Sequence, residues 1–176
     1  MLKTVHAAAL AAAALGCVLV AGHATAHVTL EQQQAVAGST YKAVLRVPHG
    51  CEGSPTIRLR VQIPDGMTNV KPMPKAGWEL STVRGKLATP VAGDHGAQVT
   101  EGVREVVWSG GRLLDEHYDE FVLRGTLPNK AGETIYFPTV SECERGVERW
   151  IEIPAAGKSS GDYRFPAPSL RLTPRN

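Results

Sequence analysis

The sequence predicts an all-β protein, an antiparallel β-sandwich, and three observations carry that prediction. Apolar and polar residues alternate in short runs bounded by Gly, Pro, Asn and Asp. Nine such runs follow one another at close spacing, and no stretch between them has the 3.6-residue period of a helix. The first 26 residues stand outside the pattern and read as a leader.

The leader has the expected three parts. Lys3 supplies the positive start, an Ala/Leu/Val-rich run from Ala7 to Ala21 the apolar middle, and Ala24-Thr25-Ala26 a small-residue cleavage site. The apolar run is too short and too rich in alanine for a good membrane span. The expectation is export to the periplasm, with residues 1–26 removed as a signal peptide. A rival reading is a lipoprotein signal, Ala14-Leu15-Gly16-Cys17, in which Cys17 would carry the lipid.

The strands follow in order. His27–Gln32 places Val28 and Leu30 on one face, and Ala35–Ser39 reads as a turn. Tyr41, Ala43, Leu45 and Val47 alternate with polar partners up to Pro48, and residues 49–55 form a loop dense in breakers. Thr56–Ile63 is the clearest strand, with Ile57, Leu59, Val61 and Ile63 opposite Arg58, Arg60 and Gln62. Thr68–Met73 is edge-like, limited by Pro72 and Pro74. Trp78–Leu87, Val103–Trp108, Tyr118–Leu127, Thr134–Val140 and Val147–Ile153 complete the nine. A loop at Thr89–Gly96 carries His95, and Gly110 and Gly111 join two of the strands. The core side of the last strand is assigned to Val147, Ile151 and Ile153, which puts Trp150 on the polar face with Glu148 and Glu152. Residues 27–154 are expected to form one domain and 155–176 a flexible tail.

Removing 26 of the 176 residues leaves 150, the size of one ordinary domain. Only Lys3 among the 19 Lys+Arg leaves with the leader, so 18 basic residues face 17 acidic ones. That near-balance, without a basic run, argues against nucleic acid as partner. No later segment approaches a transmembrane length, so no membrane span is expected in the mature chain. Two cysteines remain after Cys17, Cys51 and Cys143. In an exported chain they read as one disulfide, with binding of metal by both thiols as the alternative.

His27 is the leading candidate for chemistry. Cleavage after Ala26 gives it a free α-amino group beside its imidazole, and the amine and Nδ1 close a chelate ring on one ion. Two nitrogen donors favour Cu(II) over Zn(II), and an α-amino pKa near 7.7–8.0 lets copper displace the proton at neutral pH. Trp150 is the second candidate, either a site residue or a ring packed under a loop. Glu52, beside Cys51, offers a carboxylate, and His49 is a rival or additional ligand. His95 and His117 read as surface histidines. Met67 and Met73 are too few for a Met-rich Cu(I) site, and Cys143 has no following histidine for a blue-copper site. There is no Gly-x-Ser-x-Gly, His-Glu-x-x-His or phosphate-cradling glycine loop.

Several stretches together resemble the YcnI-like copper-binding family. They are HVTLEQQQAVAGSTYKAVLRVPHGCEGSPT, VQIPDGMTNVKPMPKAGWEL, VTEGVREVVWSGGRLLDEHYDEFVLRG and ERGVERWIEIP. The resemblance runs from His27 to about Ala156. It implies a cupredoxin-like or immunoglobulin-like sandwich that binds one Cu(II) in a monohistidine brace. In that brace the N-terminal histidine gives amine and Nδ1, a glutamate adds an oxygen, and a tryptophan lies against the metal. His27 and Trp150 match the first and last. Glu52 falls within HGCEGSP, where some relatives have a shorter loop without cysteines.

The function expected from these residues is copper homeostasis, not catalysis: sequestration of the ion or its delivery to other periplasmic copper proteins. A histidine-brace copper oxygenase is the enzymatic alternative, with His49 as its second ring. A tryptophan over the ion would block the open position that oxygen activation needs. A metal-free immunoglobulin-like interaction module is the third class.

Overall fold

The computed structural model describes residues 27–92 and 98–175, and the fold is all-β. The expected leader, with Cys17 and Ala26, and the loop histidine His95 lie outside the described residues. A four-stranded sheet runs in the order β1 (Thr29–Leu30), β3 (Thr40–Val47), β8 (Asp119–Thr126) and β5 (Thr68–Pro72). A five-stranded sheet runs β11 (Val147–Trp150), β10 (Thr139–Cys143), β4 (Thr56–Gln62), β7 (Gln98–Leu113) and β6 (Glu79–Ala92). The third sheet is β2 (Gln34–Val36), β12 (Ser169–Thr173) and β9 (Thr134–Tyr136). Every pairing is antiparallel except that of β12 with β2.

The period-two pattern read from the sequence builds the core. On β3, Tyr41, Ala43, Leu45 and Val47 are buried, and Leu45 faces Phe121 across the ladder to β8. On β4, Leu59 and Val61 are fully buried and pair with Trp108 and Val106 of β7. Facing rows of this kind interdigitate between the sheets, and burial of their apolar area is the main stabilising term.

Four expectations are corrected. First, the C-terminal residues are not a loose tail. Leu170 and Leu172 of β12 are fully buried, and Gly132 N–H and Leu172 N–H each complete backbone hydrogen bonds there. The period-two pair Leu170/Leu172 is too short to stand out beside the Gly, Ser and Pro that precede it. Second, the Ala35–Ser39 turn is narrower, because β2 takes Gln34–Val36 and only the turn at Gly38 (φ 71°) remains. Third, the run Thr134–Val140 is two strands in different sheets, β9 and β10, separated by Phe137-Pro138. Fourth, Gly110 and Gly111 lie inside β7, which is far longer than Val103–Trp108. Gly111 is required there: a Cβ would fall 2.1 Å from the Trp78 ring, which lies against its backbone.

Candidate functional site

Trp150 sits at the end of β11, the edge strand, and its face is decided by register. Trp150 pairs with Thr139, and Thr139 with Val61, so the indole continues a row that runs through fully buried Val61 and Val106. Thr139 and Ser141 are small and almost fully buried, which leaves room beside them for a large ring. The expected parity of this strand is therefore inverted. Trp150 is 3% exposed and belongs to the core, whereas Val147, Ile151 and Ile153 are 47%, 44% and 55% exposed.

Three segments distant in sequence converge on that indole. The His27 ring lies 5.6 Å from it, centroid to centroid, and the His49 ring 6.3 Å from it, edge-on. Phe165 closes it at 5.2 Å, with the Arg164 guanidinium 5.0 Å from the Phe165 ring. Phe165 is held by its own N–H, which donates to Glu152 Oε2 at 2.6 Å, and by the Glu152 N–H, which donates to the Phe165 carbonyl. The segment expected to be a tail thus forms one wall of the site. A small cleft of about 60 Å³ opens beside His27, between Gln33, Ser160, Pro166 and Ser169.

Two nitrogens here lack partners. Trp150 Nε1 and His27 Nε2 are buried without a hydrogen bond. A buried polar atom left unpaired costs about 1–3 kcal/mol, so each of the two calls for an explanation.

The turn that carries Glu52 is built tightly. Cys51 and Ser54 exchange backbone hydrogen bonds at 2.9 Å in both directions, with Glu52 (φ 48°) and Gly53 (φ 83°) left-handed between them. The expected disulfide is present, Cys51 to Cys143, with Cα atoms 6.0 Å apart. His49 Nδ1 faces the Gly50 carbonyl, and Gly50 N–H donates to Asp115 Oδ1 at 3.0 Å. Glu52 itself is exposed at the tip. Glu148, two residues before Trp150, links the parts electrostatically. Burial raises its carboxyl above the ordinary range; His49 pulls it back, Glu52 and Asp115 push it further up, and Arg164 lowers it. The structure therefore brings His27, His49 and Trp150 into ring contact and sets Glu52 within electrostatic reach of the same strand. His117 is elsewhere, an exposed ring 3.8 Å from Glu116.

A family model described as a domain of unknown function, DUF1775, matches residues 27–172. The chain belongs to this family. DUF1775 is the domain of the YcnI-like proteins, so the resemblance seen in the sequence holds at the level of the family. Its match extends into β12 as far as Leu172, in agreement with the buried leucines there. Among solved structures, an uncharacterized protein from Nocardia farcinica, titled as having an immunoglobulin-like fold, is similar at a TM-score of 0.62. The two share 24% identity over 84% of this chain and 98% of that one, which establishes the fold. No curated protein is significantly similar to this DUF1775 chain.

Sequence reasoning missed Glu148 and Phe165. Glu148 shares the parity of Trp150, so recognising the indole as inward-facing would have placed it in the site. Phe165 carried no such signal, because its segment has no period.

Proposed function

We propose that this protein is an exported copper-binding protein, active in the periplasm, that holds one Cu(II) at the N-terminus created by cleavage after Ala26. The ion is cargo for sequestration or delivery to other copper proteins, and the protein is not an enzyme. The observation that carries the reading is the packing of His27, the first residue after the cleavage site, against buried Trp150, with His49 on the same indole.

The donor chemistry fits. Amine and Nδ1 of one histidine close a six-membered ring with a metal, which Nε2 is too distant to do. Glu52 offers an oxygen, and the Trp150 ring limits access to the ion. Nitrogen-rich sets with one carboxylate suit Cu(II). Among the described residues, no three His, Cys, Asp or Glu side chains converge into a metal-binding group. A site here therefore calls for a donor that is not a side chain, and the α-amino group of processed His27 is one.

Intact mass of the exported protein, titrated with Cu(II) under native conditions, tests this. The expected species begins at His27, carries one disulfide and gains one copper, and His27→Ala abolishes that gain. A chain starting at lipidated Cys17, or one that takes up no copper, would overturn it.

A further inference from the structure

The 49–54 turn and the Trp150 strand are far apart in the chain but joined by one covalent link. The disulfide spans 92 residues and ties the turn to the end of β10, whose ladder partner β11 carries Glu148 and Trp150. Contacts around the bridge repeat the connection. Arg145 N–H donates to Ser54 Oγ at 2.9 Å, Glu144 N–H donates to the Pro55 carbonyl at 3.0 Å, and Gly146 lies under Cys51. Both cysteines and Ser54 are buried, although the turn between them reaches solvent at Glu52 and Gly53.

Among the described residues Glu52 makes no hydrogen bond or ion pair, and its left-handed backbone sits between the two bonds of this clamp. A free loop would spread its carboxylate over many positions, and ordering it on metal binding would cost affinity. His49 stands on the same turn, one residue from Gly50, whose backbone closes against Asp115 and the Ser54 carbonyl.

We infer that the Cys51–Cys143 disulfide is a positioning element of the metal site. It holds in place the turn that carries Glu52 and His49, whose ring lies on Trp150, so Cu(II) affinity depends on the bridge. This inference rests on the copper reading above. The bridge acts through that turn and the carboxylate it carries, so the losses from removing the bridge and from removing the Glu52 carboxylate overlap.

The test uses the processed chain beginning at His27 and Cu(II) as probe, in a competition titration against a chelator of known affinity, with no thiol reductant present. The variants are Cys51→Ser/Cys143→Ser, Glu52→Gln and their combination. Loss of a supporting contact to a metal ligand typically weakens binding about 10–100-fold. The Cys-less variant is expected to fall in that range with a changed Cu(II) electron paramagnetic resonance spectrum. Adding Glu52→Gln to it should cause less loss than Glu52→Gln causes alone. In metal-free protein, amide exchange of Gly50, Gly53 and Ser54 should accelerate without the bridge. Should the Cys-less chain fail to fold, Ser54→Ala keeps the disulfide and removes only the Arg145 contact. It is expected to weaken binding several-fold. Unchanged affinity and spectrum in the folded variants, or fully additive losses, would overturn the inference. Absence of copper binding by the unaltered chain would instead sink the copper reading itself.

Discussion

Two buried tryptophans divide this molecule. Trp108, fully buried on β7, donates its indole N–H to the Met73 carbonyl at 3.1 Å and packs at 5.5 Å on Phe121. Trp150, 3% exposed at the sheet edge, has no partner for its N–H and is surrounded by two imidazoles and Phe165. The first ring is satisfied and its neighbours are apolar; the second is left polar-unsatisfied among groups that bind protons and metals. Similar burial thus accompanies different surroundings, and hydrogen-bond satisfaction tells the two rings apart.

The largest expected effects test the structural side. Trp108→Ala should lower unfolding free energy by about 3–5 kcal/mol, measured by urea denaturation, with copper stoichiometry intact in the folded fraction. Leu170→Ala, in the strand first read as tail, should cost about 2–5 kcal/mol. A change below 0.5 kcal/mol would return that segment to the surface.

A subtler test concerns Tyr41, whose hydroxyl donates to the Gln32 carbonyl at 2.6 Å. Burial, with Glu31 nearby, pushes its pKa from 10.0 up to about 12. The folded state keeps the proton longer than the unfolded state, so the stabilisation is complete below pH 10 and is lost as pH rises towards 12. Tyr41→Phe should flatten that part of the stability profile.

Phenylalanine substitutions sharpen the contrast itself. Trp108→Phe removes a hydrogen bond and Trp150→Phe removes none, so the former should cost more by about 1 kcal/mol. Equal costs would break the distinction. At the small end, Arg112→Gln should leave stability unchanged. Its exposed pair with Glu144, 2.7 Å apart, is of the kind that contributes little in water.

The same contrast explains what could be read from sequence. Strands β3 and β4 were legible because one face of each is apolar and the other charged. Around Trp150 the alternation points the wrong way: the apolar parity of Val147, Ile151 and Ile153 faces outward, and Trp150 is buried on the parity it shares with Glu148 and Glu152, so periodicity alone misplaces the core side. Only the pairing of Trp150 with Thr139 decides it, and pairing is not written locally. His27 was visible as the residue after the expected cleavage site, and Glu52, His49 and the two cysteines as residue types in or beside turns. Glu148 and Phe165 depended on tertiary placement. The split of Thr134–Val140 also escaped, because Pro138 lies between two apolar stretches that alternate alike.

The most direct test of the central claim compares two chains in the same Cu(II) competition titration, one beginning at His27 and the other retaining Ala26. They differ by one residue and in whether His27 has a free amine. The expected result is one tightly bound copper for the first and a large loss of affinity for the second. Equal affinities would contradict the account, since the ion would then be held without the terminal amine.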